Sequence, residues 1–457
     1  MRNVPEWGRV KKAKQEGLPE KASDYCGGIT EWNHHPAWTE RMRAALKINR
    51  ETGGKWFSLI DRVYDPRQLQ AAWVRIDHKT VGKARKRGAG VDGVTVEQFA
   101  QQAGEEIVRL GEELKTGAYR PRAVRRHWIS KPGTNKKRPL GLPCVRDKVV
   151  QEALRSLIEP IFENEFLDGS HGFRPNRSTD TACQQIEAWL EKGMVWIVDA
   201  DVTGCFDNIN QEKLLDEANR RIADGKVLDL IRAFLKAGVM EDMKVRDSEK
   251  GTPQGGIISP LLANIYLHRM DEQLESRGLT SVRYADDFLL LCGSREEAEA
   301  ALEAVRMILD GMDLSLSPEK TRIVHLDEGF DFLGWHYQGQ KRWPRKKSVE
   351  ALKLKLREKT RRLRPGSMIE ICSDVQPILR GWFVYFRNGN SSHTFGEVSG
   401  WLRRRLRSIL HRRHKGHGIG SLDLNRRWPN KCFTNWGLFQ MDEAYDIYRS
   451  ANHAQLP

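Results

Sequence analysis

The stretch Val282-Arg283-Tyr284-Ala285-Asp286-Asp287-Phe288-Leu289-Leu290-Leu291 constrains the chain more than any other. Two adjacent carboxylates interrupt an otherwise apolar run. The flanks favour β structure, so the stretch reads as two short strands with Ala285-Asp286-Asp287 as the tight turn between them. An Asp-Asp pair in a turn is ordinarily solvated, because Asp suits turns. Carboxylates held in an apolar setting instead shift their pKa or require a cation. Which reading holds depends on a third acid and on groups that handle phosphate.

The third acid is Asp201. Met194 to Asp201 is a short apolar run ending in acid, and it reads as a buried strand with Asp201 at its C-terminal end. Asp201, Asp286 and Asp287 together form an all-oxygen set suited to Mg²⁺. Two such ions held about 4 Å apart activate an attacking hydroxyl and stabilise the leaving oxygen of a phosphoryl transfer. Arg120 to Pro143 reads as a strand–turn–strand with a cationic tip. Lys131 and Arg138 in it could neutralise a triphosphate, with a solvated turn as the alternative. Gly251 to Pro260 is glycine-rich but lacks Gly-Lys-Ser/Thr, so it is not a nucleotide-triphosphatase loop; it lets backbone approach a flat ligand. Lys320 is placed to give charge or a proton to departing pyrophosphate. Jointly these describe a template-directed polymerase.

Charge extends that reading. The 457 residues carry a formal net charge of +15, which favours a polyanionic partner. The cations recur along the chain rather than in one amphipathic anchor, so nucleic acid fits better than a membrane. Seven cysteines without a Cys-x-x-Cys pair predict neither a zinc knuckle nor a disulfide framework, and a reduced, cytoplasmic chain is expected. The character changes near Lys341. From Lys341 to Arg364 twelve Lys or Arg stand against two Glu, with Val349, Leu352, Leu356 and Leu363 on one helical face. Single-sign faces are rarely mere solvation, so Lys346, Lys347, Arg361, Arg362, Arg403, Arg404 and Arg405 are candidate RNA contacts. The spacing also predicts helices over Val94 to Leu114, Thr179 to Glu191 and Arg295 to Gly311. Phe330 to Tyr337 reads as one strand with a glycine kink.

Tyr284-Ala285-Asp286-Asp287 resembles the signature of reverse transcriptases, in the form found in bacterial group II intron-encoded proteins. Other blocks match in the family's order: Gly88 to Gly93, Lys131 to Pro143, Gly172-Phe173-Arg174-Pro175, Asp199-Ala200-Asp201 through Phe206-Asp207, Gly251 to Gly255, Pro318-Glu319-Lys320-Thr321 and Phe332-Leu333-Gly334. Gly381 to Phe386 resembles the core of the maturase domain. The resemblance implies an α+β right-hand polymerase. After an extension (1–54) it would have fingers (55–185) and palm (186–340), within a reverse transcriptase domain of about 110–340. An all-helical thumb or maturase domain (341–411) and a basic nucleic-acid-binding tail (412–457) would follow.

The resemblance also assigns roles. Asp201, Asp286 and Asp287 match the metal-binding acids, with the Val202 carbonyl as a further ligand of two Mg²⁺ ions. Phe206 matches the aromatic that excludes a ribose 2′-hydroxyl. Gln254 and Gly255 match the loop under the incoming nucleotide, and Lys131, Arg138 and Arg174 match residues around triphosphate and template. The expected partners are group II intron RNA, an RNA template with a DNA primer, target DNA and dNTPs, with no membrane. Two alternatives stay open, a splicing cofactor with an idle polymerase and a domesticated reverse transcriptase in defence or repair. The cysteine pairs and His-Asn-His residues of the family's C-terminal endonuclease do not occur, so an endonuclease-less type using single-stranded or replication-fork DNA is expected.

Overall fold

The computed structural model describes residues 38–80, 86, 88–130, 137–241, 244–246, 249–414 and 422–453. Most of the expected extension lies outside them. The chain divides into two compact units, Met1–Ile323 and Val324–Pro457.

Local sequence sets most helix ends in the first unit. Ser178 and Thr181 form a capping box for the helix Thr179–Glu191, and Ser294 caps Arg295–Gly311. Both helices have the bounds expected from spacing. Val94 to Leu114 is instead two helices, Val96–Gln101 and Ala103–Thr116, broken at Gln102. Two helices, Val145–Glu163 and Ser259–Ser276, are buried on most sides and form the spine of the core. Around them Leu69, Trp73, Leu154, Leu157, Tyr266 and Phe288 join one apolar cluster. Each such side chain contributes about 1.5–3 kcal/mol by leaving water.

Eleven strands occur among the described residues: β1 (Val124–Ser130), β2 (Lys137–Leu142), β3 (Trp196–Asp201), β4 (Val239–Glu241), β5 (Lys244–Arg246), β6 (Thr280–Tyr284), β7 (Asp287–Cys292), β8 (Arg322–His325), β9 (Phe330–Phe332), β10 (Trp335–Gln338) and β11 (Lys341–Pro344). β1 and β2 form the expected basic hairpin, widened by β4 and β5 into a sheet of order β2-β1-β4-β5. A second sheet has the order β6-β7-β3-β8. Its strand β7 is central, and Phe288 to Leu291 are all buried, which explains the unbroken apolar run. The helix Arg295–Gly311 packs on β3 and β7, and Ser259–Ser276 on β6.

The second unit corrects one expectation. Phe330 to Tyr337 is a hairpin rather than a kinked strand. Phe332 pairs with Trp335 across a two-residue turn in which Leu333 and Gly334 both have positive φ, 47° and 85°. The resulting sheet β11-β10-β9 belongs to this unit, and every described element after it, from Lys346 on, is a helix. Packing is the cause. Trp335 stacks on Tyr385 and meets Phe386 edge-on, and the Tyr385 hydroxyl donates to the Leu333 carbonyl at 2.8 Å. The segment after residue 411 packs into this unit where it is described. Phe433 is fully buried, Arg407 Nε donates to the Trp428 carbonyl, and the Tyr445 hydroxyl donates to the Gly389 carbonyl. Among the described residues no helix is long and apolar enough to cross a membrane.

Candidate active site

Strand pairing brings the three acids together. β3 runs antiparallel to β7 in a register that sets Asp201 opposite Asp287. Facing residues of an antiparallel pair have Cβ atoms roughly 5 Å apart. β6 pairs with β7 so that Tyr284 faces Asp287, leaving Ala285 and Asp286 as the turn. The tip is therefore Ala-Asp, with the second Asp already in the strand. Ala285 holds φ at +61°, a conformation costly for a residue with a Cβ. The loop ahead of the helix Thr179–Glu191 braces it. A Cβ on Gly172 would stand 2.3 Å from the Ala285 nitrogen, so only glycine allows this approach.

The cluster holds more negative charge than its surroundings neutralise. Burial, then the charge of Asp201, raises the Asp286 pKa against the pull of Arg138 and Lys320. Although Asp287 is itself exposed to solvent, desolvation within the cluster, then the charge of Asp286 and the Asp201 side chain, pushes its pKa up to about 7. Lys320 Nζ donates to Asp201 Oδ2 at 2.7 Å, and this bond raises the lysine pKa. Among the described residues the acids do not form a closed ligand set. The donor chemistry nevertheless fits a hard divalent cation, because the three side chains offer carboxylate oxygens and an ammonium group already serves Asp201 as counter-ion.

A pH test follows from Asp287. Its ordinary pKa is 3.8 and its folded value about 7, so in chelator the charged form destabilises the fold progressively as pH rises between these values. Asp287→Asn is expected to melt above wild type, with a margin that widens from about pH 4 to about pH 7 and then levels off. A margin independent of pH in thermal melts would contradict this origin.

The residues expected on the substrate side are tied to one another by several contacts. Phe206 lies in the short helix Cys205–Asn208, half-buried, with its ring 6.4 Å from and edge-on to Phe173. Its carbonyl accepts from Thr252 N–H, tying it to the glycine-rich loop. Gln254 Nε2 donates to both Asp207 oxygens at 3.1 Å. The Gln254 carbonyl accepts from Gly141 N–H, and a Cβ on Gly255 would lie 2.3 Å from the Gly141 carbonyl. The base of the β1–β2 hairpin thus abuts the Gln254-Gly255 loop, and Arg138 on β2 is near enough to act on Asp286. Lys131 lies outside the described residues.

Arg174 departs from the expectation. Its side chain is 4% exposed and its donors point inward, to Glu163 and to the carbonyls of Leu167 and Ser170. It staples its own loop rather than facing a triphosphate. The Arg403-Arg404-Arg405 run also divides, because successive helical residues lie about 100° apart. Arg404 is exposed. Arg403 is bonded to Gln440 and Asp442, and Arg405 to Thr360 and the face of Trp401. Lys346, Lys347, Arg361 and Arg362 are exposed. Sequence reasoning missed Arg283, whose buried guanidinium grips the turn that carries Asp286. No local sequence signal marks it, because its partners Asp271, Asn264 and Ser170 come from other elements.

Two family models match the chain. Residues 129–337 match the reverse transcriptase (RNA-dependent DNA polymerase) model, and residues 349–428 the group II intron maturase-specific domain. Group II intron-encoded protein LtrA of Lactococcus lactis subsp. cremoris is 35% identical over 317 residues, 54% of this chain and 52% of that protein. Protein YkfC of Escherichia coli (strain K12) is 34% identical over 284 residues, 54% of this chain and 74% of that protein. The putative COX1/OXI3 intron 1 protein of Saccharomyces cerevisiae is 26% identical over 424 residues, 80% of this chain and 50% of that protein. The chain thus spans about half the length of LtrA and of the yeast protein.

Proposed function

The chain belongs to the group II intron reverse transcriptases that carry a maturase domain, and from that membership we propose that it is an RNA-directed DNA polymerase that binds group II intron RNA, assists its splicing and copies it into DNA during intron mobility. The observation that carries the reading is the register of Asp201 against Asp287, with Asp286 on the adjoining turn. Asp201, Asp286, Asp287 and the Val202 carbonyl would hold two Mg²⁺ ions, which supply the Lewis acidity for a primer hydroxyl attacking a nucleotide phosphate. The other roles fall to side chains. Arg138 offsets phosphate charge beside Asp286. Lys320, already hydrogen-bonded within the cluster, delivers a proton toward departing pyrophosphate. Phe206 excludes a 2′-hydroxyl by contact, above a floor made by Gln254 and Gly255.

Primer extension on an RNA template with dNTPs and Mg²⁺ tests this directly. DNA product is expected; none from folded wild-type protein would overturn the reading.

RNA binding is assigned to the exposed cations of the second unit. Replacing Arg361, Arg362 and Arg404 together with glutamine should weaken intron RNA binding roughly tenfold or more. It should also flatten the salt dependence, by about 0.7–0.9 in log–log slope for each phosphate that is no longer neutralised. Arg403→Gln should instead lower thermal stability, because it strands Asp442, and leave the salt slope near wild type. Filter binding across a salt series separates the two; equal slopes for all variants would remove these arginines from the interface.

A further inference from the structure

The turn that carries Asp286 is closed by groups outside it. Arg283, the residue two before Ala285, is 1% exposed. Its guanidinium uses every N–H. Nε and one Nη2 hydrogen reach Asp271, at 2.9 and 2.5 Å. The other Nη2 hydrogen goes to Ser170 Oγ at 2.8 Å. Nη1 donates to Asn264 Oδ1 at 3.0 Å and to the Ala285 carbonyl at 2.9 Å. That carbonyl belongs to the peptide immediately before Asp286. Asn264 in turn donates to the Gly172 carbonyl at 2.8 Å, and Gly172 is the residue pressed against the Ala285 nitrogen. The Arg283 main chain adds two bonds, donating to the Gly169 carbonyl and accepting from His171 N–H, both 2.8 Å.

The knot therefore joins the helix Ser259–Ser276, the loop through Gly169–Gly172 and the strained Ala285 turn. Asn264 and Asp271 are two turns apart on one helix and present both acceptors from the same face. Only a planar fork with five donors can reach all of these at once, which lysine cannot do. We propose that Arg283 is a positioning residue: it fixes the Ala285–Asp286 peptide so that the Asp286 carboxylate is held where a divalent cation binds. The inference rests on the reading of Asp286 as a cation ligand.

Charge alone predicts the opposite effect, which makes the sign diagnostic. Arg283→Gln removes a positive charge that is bonded to the turn carrying Asp286, so binding should tighten if Coulomb forces were all that mattered. Loss of positioning should weaken it, since partners that orient metal ligands are worth about 10- to 100-fold in affinity.

The test is Mn²⁺ binding to the full chain, followed by electron paramagnetic resonance, with Asp286→Asn defining the site-specific signal. Arg283→Gln and Arg283→Lys are expected to raise the Mn²⁺ Kd about tenfold or more, and Asn264→Ala to raise it by less. Thermal melts identify the folded variants, and Asn264→Ala carries the test if the arginine variants do not fold. Folded variants that bind Mn²⁺ as wild type does, or more tightly, overturn the proposal. Wild type that makes DNA while these variants bind normally defeats the Arg283 role alone. Wild type that makes no DNA, while the variants lose Mn²⁺, defeats the polymerase reading and leaves the Arg283 role standing. Binding untouched by Asp286→Asn defeats the cation site itself.

Discussion

Asp286→Ala is expected to lower primer extension on an RNA template by on the order of 10³-fold or more, with intron RNA binding unchanged. The size follows from where Asp286 sits. It is the turn residue of the β6–β7 hairpin, and its carboxyl group is already strained by burial and by Asp201. Alanine removes that charge without disturbing either strand, because residue 286 contributes no rung to the sheet. The variant should melt at or above the wild-type temperature in chelator, since a mutually repelling carboxylate is gone. RNA binding should persist because the exposed cations assigned to it belong to the second unit. Gel-shift and single-turnover extension on the same preparation check both halves. Loss of RNA binding together with synthesis would mean that the acid has a structural role.

Phe206→Ala is expected to relax sugar selection, raising ribonucleotide incorporation relative to deoxynucleotide by roughly 10- to 100-fold. The helix Cys205–Asn208 begins four residues after Asp201 ends its strand, and the Phe206 ring meets Phe173 edge-on. Two backbone bonds hold the segment independently of the ring, Thr252 N–H to the Phe206 carbonyl and Gly251 N–H to the Ile209 carbonyl. The loop should therefore keep its shape when the ring is cut back, and deoxynucleotide incorporation should fall only modestly. Competition between dNTP and rNTP at one template position gives the ratio. An unchanged ratio would remove Phe206 from sugar selection.

The parts of this site that are local in sequence were legible there. Ser178 and Ser294 mark helix starts because a cap bonds within three residues of itself. Two carboxylates in an apolar run stand out for the same reason, since the misfit is visible within ten residues. What was not legible depends on partners far along the chain. Arg283 reads as an ordinary strand residue until Asp271, Asn264 and Ser170 are placed around it. Arg174 stands in a motif that suggests phosphate, but Glu163 and two carbonyls consume its donors. The turn at Leu333-Gly334 hides because a leucine occupies the first left-handed position, where glycine or asparagine is the usual signal. Arg403-Arg404-Arg405 shows the limit of counting charges: helical geometry sends three neighbours to different surroundings.

Asp201 and the Asp286-Asp287 pair, remote in sequence, together make one divalent-cation site. Iron-directed cleavage tests it most directly: Fe²⁺ is substituted for the divalent ion and peroxide cuts the backbone nearest to it. Cuts are predicted at two places in the same reaction, around residues 199–203 and around residues 284–288, both suppressed by excess Mg²⁺ and both lost in Asp286→Ala. Cleavage at only one of these segments, or cleavage that survives Asp286→Ala, would contradict the claim.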